Sequence, residues 1–326
     1  MSQAAMQGAG ASRAAMPGTA GSGRRPSQSE SSESPRRPIH GGAFIYLIPA
    51  LIVFAVFVIY PLIRTVILSI SGTDILGRQG AFVGLRNFQR VFSDPEFGKI
   101  MMNTLLFAIY TVIPTIILSL LISLMLNKES TVNRVFRTVF ALPFAYSVSA
   151  ASIIFSAFFN PATGLFNAIL GKFGVGPVGW LTDPQFALPA IAMTTVWMNI
   201  GYNVLVLLAG LGSVPDEIIE AARLDGASGF KLQRHILIPL IMPQVFFLMI
   251  TDTIQSLESF GQIHVLTKGG PNSSTTTLVY DIYMHGFANN SSNFGYASAE
   301  ALVLILVVAV ITLIQFMLTG KKVNNQ

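Results

Sequence analysis

From Ala43 onward, long apolar runs alternate with shorter polar stretches, and this alternation limits the fold more than any other feature of the chain. A helix that crosses the hydrocarbon core of a bilayer needs about 20 mainly apolar residues. No water is available there to satisfy backbone N–H and C=O groups, so the bonds must close within a helix or a closed barrel. Six runs approach or exceed that length: Ala43 to Leu68, Met102 to Leu126, Thr138 to Phe158, Ala187 to Leu211, Leu240 to Leu266, and Leu302 to Leu318. Charged residues make up only 11% of the 326, against about 25% in soluble domains, and the mean hydropathy is +0.61. The expected fold class is therefore all-α integral membrane, with six transmembrane helices spread over residues 41–326.

Residues 1–40 differ in kind. They are rich in Ser, Gly, Ala, Pro and Arg and hold almost no bulky apolar side chain, so they are expected to be a disordered tail. They carry no apolar stretch of the signal-peptide type. Lysine and arginine placement orients the six runs. With both termini on the cytoplasmic side, thirteen of the 20 basic residues fall inside; the other seven are Arg64, Arg78, Arg86, Arg90, Lys99, Lys172 and Lys268. The sequence pI of 9.6 reflects this topology. The basic residues are not interleaved with stacking aromatics, so the expected partner is a lipid bilayer and not nucleic acid. There is no cysteine, which excludes disulfides and thiolate chemistry. His40, His235, His264 and His285 have no metal-ligand spacing, so no metal ligand and no cofactor are expected, and no phosphate-binding loop of the G-x-x-x-x-G-K-[ST] type occurs.

The longest polar island in the second half lies between the fourth and fifth runs. Ser213 and Asp216 have capping-box spacing, and Pro215 suits a first helical turn. Ile218, Ile219 and Ala222 give an apolar stripe at helical spacing. Gly226 suits the left-handed residue that ends a helix, Ser228 can cap a second short helix, and Pro239 and Pro243 limit its continuation. The expectation is two short helices around a turn.

The spacing here is specific. Glu220, Ala221 and Ala222 are followed by three residues, Gly226, nine residues, and Ile236-Leu237-Ile238-Pro239. It resembles the cytoplasmic E-A-A signature of binding-protein-dependent ABC importer permeases, with Ile238 where the family usually has Leu. Phe82-Val83-Gly84-Leu85-Arg86-Asn87-Phe88, Gly269-Gly270-Pro271 with Thr275, Leu278, Tyr280 and Tyr283, and Phe294-Gly295-Tyr296-Ala297 are similar to runs in the maltose-type, F-like carbohydrate permeases. That group includes the A subunit of the glycerol-3-phosphate importer. The resemblance implies a transport subunit and not an enzyme. It further implies a second permease subunit, two copies of an ABC ATPase, and an extracytoplasmic solute-binding protein, in a bacterial inner membrane. It makes Glu220, Ala221, Ala222, Asp225 and Gly226 the ATPase-coupling residues, and import by alternating access the function. A carboxylate at Glu220 can accept free backbone N–H groups, while Ala221 and Ala222 allow close packing.

Candidate pathway residues come from periodicity. Asp252, Gln255, Glu258 and Gln262 recur at steps that put them on one face of a fifth helix. Thr195, Asn199, Tyr202 and Asn203 do the same on the fourth, with Trp197 and Gly201 nearby. Ionisable groups inside a span are costly and normally face a bundle interior or a water-filled cavity. Amides and rings suit a polyol. The same carboxylates would serve an ion-coupled secondary carrier, the alternative function.

Overall fold

The computed structural model describes residues 43–74, 76–128, 130–288 and 293–323. The segment expected to be a disordered tail lies outside them. The chain divides between Ile52 and Val53, and the described residues before that point are helical.

Helix α1 (Ala43–Phe54) passes through a π-helical turn, Ala55–Ile59, into α2 (Tyr60–Ser69). Pro61 lies just after the π turn, in the first turn of α2, so the irregular hydrogen bonding falls where the proline lacks an N–H. The following connector is not irregular. Strand β1 (Ser71–Thr73) pairs antiparallel with β2 (Gln79–Phe82), Ser71 opposite Phe82 and Thr73 opposite Gln79. This hairpin amends the all-α expectation; its strands are too short to read as strands by alternation. Helix α3 (Arg86–Ser93) then carries Asn87, whose buried side-chain N–H groups donate to the carbonyls of Ser69 and Ser71 at 2.8 and 3.0 Å.

Among the described residues, four helices are long and apolar enough to cross a membrane: Tyr46–Ser69, α4 (Phe97–Leu126), α8 (Pro184–Gly212), and the last, Phe294–Leu318 within α15 (Phe294–Val323). The other two expected spans are bent pairs, so the total reaches six where each pair crosses once. In the third, α5 (Thr131–Ala141) gives way to a 3-10 turn at Leu142–Ala145 and then to α6 (Val148–Phe158), at 103°. Pro143 lies in that turn and the Ser147 hydroxyl accepts the Ala150 N–H at 3.2 Å, so one helix stops and another is capped. A loop helix, α7 (Leu165–Lys172), precedes α8.

In the fifth, the chain leaves α9 (Asp216–Leu224) for α10 (Gly229–Leu232), a π turn at Gln233–Leu237 and α11 (Ile238–Leu240). It then bends by 66° at Ile241 into α12 (Met242–Leu257). The expected run to Leu266 is interrupted: Glu258, Ser259 and Phe260 are not helical, and α13 (Gly261–Leu266) is a separate turn. The polar residues around this break, Gln255, Glu258 and Gln262, keep helical spacing, which is why the sequence reads as one span.

The core forms between α4, α8 and α12. Leu124, Leu207, Leu211, Ile241 and Leu248 are buried together, and the short helices after α8 close on the same cluster through Ala222, Leu232 and Leu237. Phe107, Ile191 and Ile263 make a second centre further along α4. The remaining helix, α14 (Leu278–Tyr283), continues into a π turn at Met284–Ala288. The Gly269–Asn272 turn ahead of it docks on the first turns of α4. Asn103 donates to the carbonyls of Ser273 and Thr276 at 2.9 and 3.1 Å, and Lys99 to that of Asn272 at 2.5 Å. The α9–α10 loop and this turn therefore lie at opposite ends of α4.

Candidate functional site: a surface loop and an inner cavity

Local backbone chemistry ends α9. Gly226 has φ +82°, its N–H bonds the Arg223 carbonyl at 3.0 Å, and the Ala227 N–H reaches the Ala222 carbonyl at 2.9 Å. These paired bonds form a Schellman motif, with Ala222 and Ala227 making its apolar contact. Any residue but glycine is disfavoured at Gly226 by its φ alone, since an added Cβ would meet nothing within 4 Å. Asp216 and Glu217 in the first turn and Arg223 in the last complement the helix dipole. The capping box is not formed. Helix α8 runs on to Gly212, so the Ser213 hydroxyl bonds back to the Gly210 carbonyl at 2.7 Å, and α9 starts at Pro215 without a side-chain cap. Ser228 holds the N-cap position of α10 without a side-chain bond.

The five predicted loop residues divide. Ala222 faces this chain's own core, while Glu220, Ala221, Asp225 and Gly226 are exposed. The Glu220 side chain makes no hydrogen bond to a described residue, so the expected acceptance of free backbone N–H groups is not seen. Two apolar side chains that spacing did not single out stand beside them: Leu224 is 89% exposed and Phe230 72%. The signal was present, as two large apolar residues in an otherwise polar loop whose apolar stripe is complete without them.

The predicted pathway residues also divide. Asn199, Gln255, Glu258 and Gln262 line one cavity of about 410 Å³, together with Thr195, Val148 and Ser259. Gln262 is buried in its wall and accepts the Ser259 hydroxyl at 2.8 Å. The helical break creates this space, and α13 approaches α6 so closely that a Cβ at Gly261 would lie 2.7 Å from Val148. Asn203 and Asp252 are elsewhere. They are 0% and 2% exposed, and the Asn203 amide donates to the Asp252 carboxylate at 2.5 Å, tying α8 to α12. Two further polar contacts do the same: Thr111 with Ser256 at 2.5 Å ties α4 to α12, and Gln315 with Thr253 at 2.8 Å ties α15 to α12. Tyr202 packs against Phe144 with ring centroids 5.5 Å apart. Asp252, Gln255, Glu258 and Gln262 thus do not share one helical face: one is in a helix interface, one on the free side of α12, one in the break, and one on α13.

A third polar group lies near the Gly269–Asn272 turn. Asp281 and His285 are one turn apart on α14 and its π-turn extension, and Glu300 reaches them from α15. Burial and then the neighbouring Glu300 carboxylate push Asp281 up to about 8. The hydrogen bond to Glu300 raises His285 above the usual histidine range. Spacing had assigned no ligand role to any of them.

Comparison with known proteins places this architecture. Residues 115–322 match the family described as binding-protein-dependent transport system inner membrane component. The sn-glycerol-3-phosphate transport system permease protein UgpA of Brucella abortus is 32% identical over 284 residues, covering 86% of this chain and 95% of the relative. A Pyrococcus horikoshii protein named as a probable ABC transporter permease is 33% identical over 271 residues, covering 82% and 92%. A chain of the crystal structure of a bacterial alginate ABC transporter, in complex with an alginate pentasaccharide-bound periplasmic protein, superposes with a TM-score of 0.76 at 23% identity, covering 86% of this chain and 94% of that one, and shares the fold. The chain belongs to the binding-protein-dependent ABC importer permeases, as the E-A-A spacing implied. Both relatives are named as transport permeases.

Proposed function

We propose that this chain is one permease subunit of an ATP-driven importer that carries a carbohydrate, an oligosaccharide or glycerol-3-phosphate across the bacterial inner membrane by alternating access. The observation that supports this most directly is the α9–α10 loop. A rigid, Gly226-terminated helix presents Glu220, Ala221, Asp225, Leu224 and Phe230 to solvent while Ala222 anchors it to the core. Such a surface can seat in a groove of an ATPase subunit and pass its movement to α8 and α12. Two ATPase copies, a second permease subunit and an extracytoplasmic binding protein complete the assembly in this reading. In this reading each bent pair crosses once, six crossings leave both termini and the loop on one side, and the lysine and arginine bias makes that side the cytoplasm. The cavity of Asn199, Gln255, Glu258 and Gln262 offers amides and a carboxylate to a hydroxylated solute, and the Asn203–Asp252 pair holds its walls together. The UgpA relatives and the alginate importer favour solutes of the sugar and glycerol-phosphate class.

Uptake by the whole complex in proteoliposomes tests this reading. Labelled glycerol-3-phosphate and a series of oligosaccharides would be offered with ATP on the loop side. At least one should accumulate only with hydrolysable ATP and should be insensitive to a protonophore. Accumulation driven by an ion gradient without ATP would instead favour the secondary-carrier reading, against which the family membership stands.

A further inference from the structure

The Asp281, His285 and Glu300 group has the geometry of a metal centre. His285 Nδ1 lies 3.6 Å from Asp281 Oδ2 and 3.3 Å from Glu300 Oε2, and one ligand atom from each residue falls within 4.8 Å of the other two. A tetrahedral Zn²⁺ ion holds nitrogen at about 2.0–2.1 Å and carboxylate oxygen at about 2.0–2.2 Å, so the edges between its ligands are about 3.3–3.6 Å. The two His–carboxylate separations match such edges, and the separation between the two carboxylates is held within 4.8 Å.

A second observation points to a ligand. Glu300 is 1% exposed, and its Oε1 has no hydrogen-bond partner among the described residues. A carboxylate taken out of water needs compensation on both oxygens, and the His285 contact reaches only one. The group is also approachable. A cavity of about 450 Å³ lined by Asp94, Glu96, Lys268, Tyr280, Asp281 and His285 opens on one side. Another, of 320 Å³, reaches His285 past Arg90, Asp94 and Tyr296. Either leaves a fourth coordination position for water. One imidazole nitrogen with two carboxylates suits Zn²⁺ and its neighbours in the first transition row. Ca²⁺ takes six to eight oxygens, which this set does not offer.

We infer that Asp281, His285 and Glu300 bind one Zn²⁺-class divalent cation, which clamps the α14 extension to α15 at the end of the bundle away from the α9–α10 loop. Sequence spacing brings only Asp281 and His285 together, as an i, i+4 pair; Glu300 joins them through the packing of α15.

The full-length chain, purified without a histidine tag, stripped with EDTA and held in lipid nanodiscs, would be titrated with Co²⁺ as an optical probe and then with Zn²⁺. One equivalent of Co²⁺ per chain is expected, with visible bands of low-symmetry coordination that Zn²⁺ removes. Glu300→Gln, which preserves shape, and Asp281→Asn should each lose that equivalent. Zn²⁺ should also raise the unfolding temperature of the unsubstituted chain, a readout that requires no variant. A stripped chain that takes up no Co²⁺ or Zn²⁺, and whose unfolding temperature Zn²⁺ leaves unchanged, is a proton-bridged cluster only and overturns the assignment. Undiminished binding in both substituted chains overturns it as well.

Discussion

The α9–α10 loop and the α12–α13 break both interrupt long helices, but they are built in different ways. The loop is ended from within: Gly226 adopts a left-handed conformation, two short-range bonds close the Schellman motif, and the side chains around it stay in solvent. The break is shaped from outside. Its polar residues are sorted by which neighbour packs against them, so that Asp252 is sealed against α8 while Gln255, three residues on, faces a cavity. An interruption held by local chemistry can present a rigid surface to another protein. One held by tertiary contacts can open and close as those contacts change.

Substitutions at the two glycines sharpen this contrast most. Gly261→Ala drives a methyl into Val148 and should destabilise the chain by about 1–3 kcal/mol, as overpacking does; Val148→Ala should restore most of it. Gly226→Ala should cost about 1–2 kcal/mol through its backbone conformation, and no neighbouring truncation should rescue it. Thermal unfolding of Gly261→Ala, Val148→Ala, their double variant and Gly226→Ala gives these values, and a failure of Val148→Ala to rescue Gly261→Ala would break the distinction.

Thiol labelling in this cysteine-free chain is the next test. Cysteines at Asn199 and Gln255 should react with a polar reagent at least about tenfold faster than cysteines at Asn203 and Asp252, because the latter require a packed helix pair to open. Equal rates would mean that the buried pair belongs to the pathway after all.

The smallest effect is energetic. A double-mutant cycle with Asn203→Ala and Asp252→Ala should give a coupling of about 0.6 kcal/mol and no more than about 1.7, the range for hydrogen bonds between membrane helices. A larger coupling would make this pair, rather than apolar packing, the main tie between α8 and α12.

The parts of the fold readable from sequence are those with a local cause. Apolar runs about as long as a bilayer is thick identify α4, α8 and α15, and a glycine after a short amphipathic stretch identifies the end of α9. The parts missed have causes elsewhere in the chain. The kink at Leu142–Ala145 leaves hydropathy unbroken, and the stop at Leu257 falls among polar residues, Gln255, Glu258 and Gln262, whose spacing also fits an unbroken helix. Asn87 was visible as a motif residue, but its bonds to Ser69 and Ser71 depend on a hairpin too short to read. The exposure of Leu224 and Phe230 depends on which residues the core takes, and Glu300 joins Asp281 and His285 only when α14 folds back on α15.

The central claim is that the α9–α10 surface transmits the work of an ATPase, and paired assays of the assembled importer test it most directly. Complexes carrying Gly226→Asp or Glu220→Lys would be compared with the parent for co-purification of the ATPase and for ATP-dependent uptake of labelled solute. Neither position contributes to the buried core, so the amount of chain in the membrane should stay near normal. The account predicts that uptake is lost in both, with the ATPase either absent or no longer stimulated by solute-loaded binding protein. Uptake at the parent rate in both variants would contradict it.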